Sequence, residues 1–348
     1  MAHPLKIGVV LRFKNPKPWR IDWAELYRQH LSYAAAVDRL GFDGIWLTEH
    51  HCLLSGYNPA PFVALAAIAG VTERCRIGTQ PLLLPLYNPV LAAEQAAAVD
   101  VLSGGRLSLC VGAGYRDGDF DAVGIPRSER GARLEEGLGV LLRALRGESF
   151  DHEGRFFTLK GVSLAPPPIQ QNVPVQLAAQ SSAAAKRAIR HHVDVNVHAA
   201  ETATQLAPVF QEEAARVGRA MGDVGVSIQK TGFLAGTRDE AVAASKEYLI
   251  WQAREFLDNT GDHTAEAELA ERMIATIEAG VGPYTVDEWV EQVERDATTI
   301  AATGMRPDWV NVTLWHSGMP LEQAFEALER FAADVLPRLR SGRSSLKS

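Results

Sequence analysis

Cysteine is scarce. Cys52, Cys75 and Cys110 are the three in 348 residues, an odd set with neither metal-ligand nor disulfide spacing, which points to a reduced cytoplasm. Long apolar runs are missing as well, since no stretch approaches the roughly 20 residues a membrane-spanning helix needs. Basic clusters are absent: 35 Lys and Arg stand against 42 Asp and Glu, for a formal net charge of −7, which argues against nucleic acid as a partner. The first residues lead directly into a strand-like run at Lys6, so no signal peptide is expected. What the chain does have is 47% hydrophobic residues spread evenly along it. That is enough for a large core and excludes a disordered chain.

The pattern alternates strand and helix. Apolar runs at 6–13, 44–47, 76–79, 106–111, 175–179, 193–197, 225–234 and 309–315 read as strands. They lack the in-out alternation of a sheet wetted on one face, as expected when helices cover both sides. Between them, apolar residues recur every three or four positions, as at Trp23, Leu26, Tyr27, His30, Ala34, Val37 and Leu40. Helices are expected at 61–71, 91–102, 128–145, 183–191, 202–217, 238–258 and 321–339. Eight strand-helix units predict a (β/α)8 TIM barrel, a single domain over 1–340. Two insertions interrupt it, after strands 4 and 7: a polar hairpin and proline linker at about 147–170, and an excursion at about 259–305. The polar end, 341–348, reads as a disordered tail.

A dinucleotide-binding Rossmann domain requires Gly-x-Gly-x-x-Gly after its first strand. That strand ends here in Arg12-Phe13-Lys14, and the nearest match, Gly112-Ala113-Gly114-Tyr115-Arg116-Asp117, follows the fourth strand and has aspartate where the third glycine belongs.

In a barrel, chemistry collects where strands end. The second strand ends in Glu49-His50-His51, and the pair of histidines has two readings. One is a general base working near neutral pH, with Glu49 biasing its tautomer. The other is a pair of loop imidazoles bonded to backbone. Adjacent histidines do not readily ligate one ion, and no third ligand has motif spacing, so no metal is expected. The third strand ends in Thr79-Gln80-Pro81. Gly112-Ala113-Gly114 allows either close ligand approach or a tight turn. Gln180-Ser181-Ser182 opens a helix, which makes it either an anion site or a simple cap.

At 41–51, Gly-Phe-Asp-Gly-Ile-Trp-Leu-Thr-Glu-His-His, the chain resembles the bacterial luciferase-like flavin-dependent monooxygenases. The likeness continues through Ile77-Gly78-Thr79, Leu84-Pro85, Asn88-Pro89, Ala93-Glu94-Gln95, 100–106, Gly112-Ala113-Gly114-Tyr115, Arg130 with Glu135-Glu136, and Val335-Leu336-Pro337. It implies a TIM barrel that takes reduced FMN from a separate flavin reductase. The flavin reacts with O2, and a flavin C4a-peroxide then oxidises a small organic substrate such as an aldehyde or ketone. Two alternatives stay open: an F420-dependent dehydrogenase or reductase on the same barrel, and a non-catalytic flavin-binding relative. On this resemblance His50 is the catalytic base, with Glu49 and His51 beside it. The flavin is held by Thr79, Gln80, Pro81, Gly112, Ala113, Gly114, Tyr115, Arg130, Gln180, Ser181 and Ser182, and Gln80–Pro81 is expected to be cis. Where luciferase has a phosphate arginine this chain has Ala113, so Arg116 or Arg130 would have to replace it.

A dry pocket is expected to be lined by Phe13, Trp46, Tyr57, Phe62, Leu83 and Trp315, with Trp46 equally readable as core. The lids would be 52–58 and 259–283. The family often forms homodimers through its second and third helices.

Overall fold

A computed structural model describes residues 4–260 and 264–341. Its strands are β1 (Lys6–Leu11), β2 (Gly44–Leu47), β3 (Arg76–Thr79), β4 (Leu107–Val111), β5 (Phe150–Glu153), β6 (Thr158–Val162), β7 (Val175–Ala178), β8 (Asp194–Val197), β9 (Gly225–Thr231) and β10 (Arg306–Thr313). Eight of them close a parallel barrel in the ring order β1-β10-β9-β8-β7-β4-β3-β2, while β5 and β6 form a separate antiparallel hairpin. The helices are α1 (Trp23–Arg39), α2 (Pro61–Ala69), α3 (Pro89–Leu102), α4 (Asp117–Asp121), α5 (Arg130–Leu145), α6 (Ser182–Arg190), α7 (Ala200–Val217), α8 (Arg238–Thr260), α9 (Thr264–Glu278), α10 (Val286–Ala302), α11 (Leu321–Arg330) and α12 (Leu336–Ser341). The barrel is the one the strand count predicts, with insertions after its fourth and seventh strands.

Strands such as Gly44-Ile45-Trp46-Leu47 are buried at every position, because helices cover the outside and side chains fill the inside. The lower interior is a cluster of Val10, Trp46 and Trp309, whose two indoles meet edge to face at 5.0 Å. Gly8 and Gly78 make room for it: a Cβ at Gly8 would stand 2.3 Å from Trp46 Nε1, and one at Gly78 would be 2.6 Å from Trp46 Cζ3. Trp46 is therefore part of the core.

The seventh unit differs from the sequence reading. The departure from the barrel begins at α8, which pairs with α9 through Leu249, Ala253 and Ile277. α10, expected to lie within the excursion, instead covers the wall against α7 and β10. It buries Trp289, Val290, Val293 and Ile300 along one face. The charge on its other face obscures that stripe in the sequence.

The last helix is also not continuous. A π-type turn at Phe331–Val335 joins α11 to α12, just before Pro337, which has no N–H to offer the preceding turn. Ser341, the first residue of the expected tail, is helical, and 342–348 lie outside the described residues.

Candidate active site

Glu49, His50 and His51 leave β2 at the carboxyl mouth and turn in alternate directions. Glu49 is fully buried: one oxygen accepts the Leu83 N–H at 2.6 Å, and the other accepts from His51 Nε2 at 2.9 Å and from the Tyr87 hydroxyl. That hydrogen bond to Glu49 raises the His51 imidazole above its ordinary pKa, against the opposing effect of burial. His51 faces a side cavity of about 300 Å³ that it shares with Phe62 and Tyr87. Glu49 thus orients His51, where the sequence reading gave it a tautomer-setting role toward the catalytic histidine.

His50 has another partner. Its Nδ1–H donates to Asp119 Oδ2 at 2.7 Å. Asp119 is wholly buried, and its second oxygen accepts the His51 backbone N–H at 2.9 Å and Arg116 Nη1 at 3.0 Å. Burial alone would raise this carboxyl, but the hydrogen bonds from His50, the His51 N–H and the Arg116 guanidinium together hold it below its ordinary value. Since a carboxylate only accepts, Nδ1 carries a proton, which in the neutral tautomer makes Nε2 the accepting nitrogen. Nε2 faces the Tyr115 hydroxyl at 3.3 Å. Burial pushes that hydroxyl well above its ordinary pKa, so Tyr115 is the donor of this pair. Tyr57 and Tyr115 flank the imidazole edge-on at 4.6 and 5.3 Å. Asp119 escaped the sequence reading because α4 is five residues long and has no periodic pattern.

The residues expected around a flavin fall into three groups. Thr79 ties strands together, its hydroxyl donating to the Cys110 carbonyl at 2.8 Å and accepting the Cys110 N–H at 3.1 Å. Gln80–Pro81 is cis, as expected. Gln80 Oε1 accepts from Asn311 Nδ2 at 2.7 Å, while its buried Nε2 has no partner. A Cβ at Gly112 would stand 2.8 Å from Pro81 Cγ. Gly114 has φ +76°, and a Cβ there would meet Phe120 at 3.0 Å. Both positions therefore keep the backbone bare, with Ala113 between them.

On the rim, Ser181 caps α6, and Gln180, Ser181 and Ser182 are exposed beside its first N–H groups. Arg187 Nη2 donates to the Gly131 carbonyl at 3.1 Å, fastening α6 to the first turn of α5, which Arg130 opens. Arg116 is committed elsewhere, to Asp119, the His51 carbonyl and Asn259. An unpaired amide over bare backbone, with a helix N-terminus and an arginine at the rim, fits a phosphate-bearing flavin.

The roof over His50 is α8. Phe256 meets Tyr115 at 5.6 Å, Asn259 accepts from Arg116 Nε at 3.0 Å, and Glu255 pairs with the buried Lys14, whose ammonium lies 4.1 Å from the Tyr57 ring centre. The covering segment therefore starts before the expected 259–283, part of which lies outside the described residues. The loop 52–58 is pinned: Ser55 accepts from Asn15 N–H, Tyr57 accepts from His50 N–H, and Asn58 Nδ2 donates to Thr48. Of the expected lining residues, Phe13 is buried against Tyr27 and His30, while Trp315 stacks on His30 at 4.2 Å and lines a cavity of about 80 Å³ beside Met319.

The chain is similar to known proteins over most of its length. It is 31% identical to the uncharacterized protein y4vJ of Sinorhizobium fredii over 59% of this chain, spanning 60% of that relative's length. It is 24% identical to the oxygenase component of the flavin-dependent trigonelline monooxygenase of Acinetobacter baylyi, over 90% of both chains. Among solved structures, the monooxygenase RslO1 of Streptomyces bottropensis superposes with a TM-score of 0.78 at 23% identity, covering 96% of this chain and 99% of that one. The oxygenating constituent of 3,6-diketocamphane monooxygenase of Pseudomonas putida, in complex with FMN, gives 0.76 at 18%, covering 97% and 99%. An F420-dependent secondary alcohol dehydrogenase gives 0.73 at 18%, covering 97% and 100%. Since the luciferase-like monooxygenase model matches residues 5–304, the chain belongs to the luciferase-like monooxygenase family.

Proposed function

We propose that this protein is the oxygenase of a two-component system: it takes reduced FMN from a separate flavin reductase and, with O2, oxygenates a small organic substrate such as an aldehyde or ketone. The observation that carries this reading is the His50–Asp119 pair under α8, an imidazole oriented by a buried carboxylate with its Nε2 turned to the Tyr115 hydroxyl. The oxygenase component and the FMN-bound oxygenating constituent among its relatives support it.

Reduced FMN, when bound, supplies the electrons that activate dioxygen. Gln80, Pro81, Gly112, Ala113, Gly114 and Tyr115 would hold its ring system. Arg130 with Gln180, Ser181 and Ser182 would hold its phosphate. His50 Nε2 takes or returns a proton, Asp119 keeps the opposite nitrogen protonated, and the Tyr115 hydroxyl lies 3.3 Å from Nε2. α8 and its aromatic side chains exclude water. Exposed Val63 on α2 and exposed Leu91 and Leu102 on α3 support a homodimer through these helices, and the reading includes a cytoplasmic location.

Anaerobic titration with FMNH2, FMN and reduced F420 tests it, followed by oxygen uptake across a panel of aldehydes and ketones. FMNH2 binding in the micromolar range with substrate-dependent oxygenation is expected. Binding of reduced F420 in place of FMNH2 would establish a deazaflavin dehydrogenase instead. Flavin binding with no turnover of any substrate would establish a non-catalytic relative.

A further inference from the structure

We propose that Arg12 is a carboxylate anchor on the β1–β10 side of the mouth, taking the acid group of an anionic organic substrate into a pocket it shares with His316. Arg12 follows directly on β1, and two of its guanidinium nitrogens, Nε and Nη1, are buried without a hydrogen-bond partner among the described residues. His316 follows β10 and has no exposed surface. Its Nε2 donates to the Gly232 carbonyl at 3.0 Å, which leaves Nδ1 as a buried lone pair, also without a partner. The large majority of buried side-chain polar atoms are hydrogen-bonded in folded proteins. The two Arg12 nitrogens are donors that a carboxylate satisfies, whereas His316 Nδ1 is an acceptor that calls for an N–H or O–H.

The recess has the right walls. Arg12 and His316 line a cavity of about 80 Å³ together with Trp19, Trp315, Met319 and Asn15, well above the ~10–15 Å³ one water needs. None of its lining residues is acidic, in a chain whose net charge is −7. Lys14, the other cation in the wall, is already neutralised by Glu255. His316 adds no like charge, because burial and the neighbouring guanidinium push its pKa down to about 3. Arg12 is thus the uncompensated positive charge of an indole-flanked pocket, and a planar guanidinium is the group best matched to a carboxylate.

Its place in the ring separates it from the cofactor. β1 and β10 stand opposite β7 and β4, the strands that lead to Ser181 and to Gly112–Tyr115. An acid group at Arg12 and a flavin phosphate at Ser181 therefore lie across the mouth from each other. That the anion is the substrate rests on the function proposed above; its binding does not.

Calorimetric titration of the full chain without flavin tests the site, using benzoate, its neutral isostere benzamide, inorganic phosphate and FMN at fixed ionic strength. Benzoate is expected to bind at least tenfold more tightly than benzamide and than phosphate. Arg12→Gln should weaken benzoate about tenfold or more, Arg12→Lys should restore part of that, and FMN affinity should stay unchanged in both. No benzoate binding, equal binding of benzoate and benzamide, equally strong phosphate, or undiminished benzoate binding by Arg12→Gln would each overturn the proposal. A loss of FMN affinity in Arg12→Gln would assign the arginine to the cofactor instead. If that variant does not fold, the wild-type ligand comparison and Arg12→Lys decide. Absent oxygen uptake with FMNH2 would defeat the proposed function and leave the benzoate result standing.

Discussion

His50 Nδ1 and Asp119 Oδ2 lie 2.7 Å apart although 69 positions separate them in the chain. The barrel makes this contact by bringing the ends of β2 and β4 to one rim and folding α4 back over it. The imidazole is thereby fixed in one tautomer before any ligand arrives. His50→Ala should lower turnover by about 10²–10⁴-fold while FMNH2 affinity changes less than a few-fold, as read by single-turnover kinetics beside equilibrium titration. An unaltered rate would remove His50 from the reaction.

Asp119 acts through His50, so its replacement should show in kcat and not in KM. Asp119→Asn keeps the shape but offers an amide that can donate to Nδ1, which favours the wrong tautomer. A loss of about 10²–10⁴-fold in kcat is expected, with KM and melting temperature close to wild type. A parallel loss in stability and KM would make the carboxylate merely structural.

Gly112 packs its bare backbone on Pro81. In Gly112→Ala the new Cβ would stand 2.8 Å from Pro81 Cγ, and the floor of the mouth must shift. Overpacking of this kind costs about 1–3 kcal/mol. FMNH2 should bind roughly tenfold more weakly, as anaerobic fluorescence titration will show.

The roof depends on a buried ion pair. Lys14 and Glu255 join the β1 loop to α8 with side chains 4% and 15% exposed. Glu255→Gln leaves the ammonium buried and uncompensated, which costs about 3–5 kcal/mol. Hydrogen exchange in α8 should accelerate more than exchange in the barrel strands. Uniform acceleration would mean that α8 opens only with the whole fold.

Acid should destabilise the protein through its buried histidines. His30 lies between Phe13 and Trp315, accepting the Phe13 N–H at Nε2 and donating from Nδ1 to the Leu26 carbonyl. Burial pushes its pKa down to about 4, against the raising effect of the Leu26 carbonyl. The unfolded chain takes this proton below about 6.5. Between pH 6.5 and 4 the unfolded state therefore binds more protons, and stability falls as pH drops. His30→Gln should flatten that fall by about 2–3 kcal/mol, measured as denaturation midpoints against pH. An equally steep curve would place the acid sensitivity elsewhere.

The barrel was legible because eight buried strands and their amphipathic helices repeat a local rule, and each repeat is visible within ten or twenty residues. The ends of β2, β3 and β4 pointed to Glu49-His50-His51, Gln80–Pro81 and Gly112–Tyr115 by position alone. What the roof is, and where it starts, was not legible. α8 is a helix by its own pattern, but nothing in its sequence distinguishes lying over a mouth from lying against a wall.

Local periodicity settles which residues become strand or helix, since hydrogen bonding and side-chain burial within an element depend on near neighbours. That much the chain carries in its order of residues. Pairing between distant segments is a different matter: Asp119 with His50, Lys14 under Glu255, Arg12 left without a counter-ion among the described residues. Each depends on the distance between atoms far apart in the chain, and a short-range interaction such as a hydrogen bond has no trace in sequence until the ring closes and sets that distance.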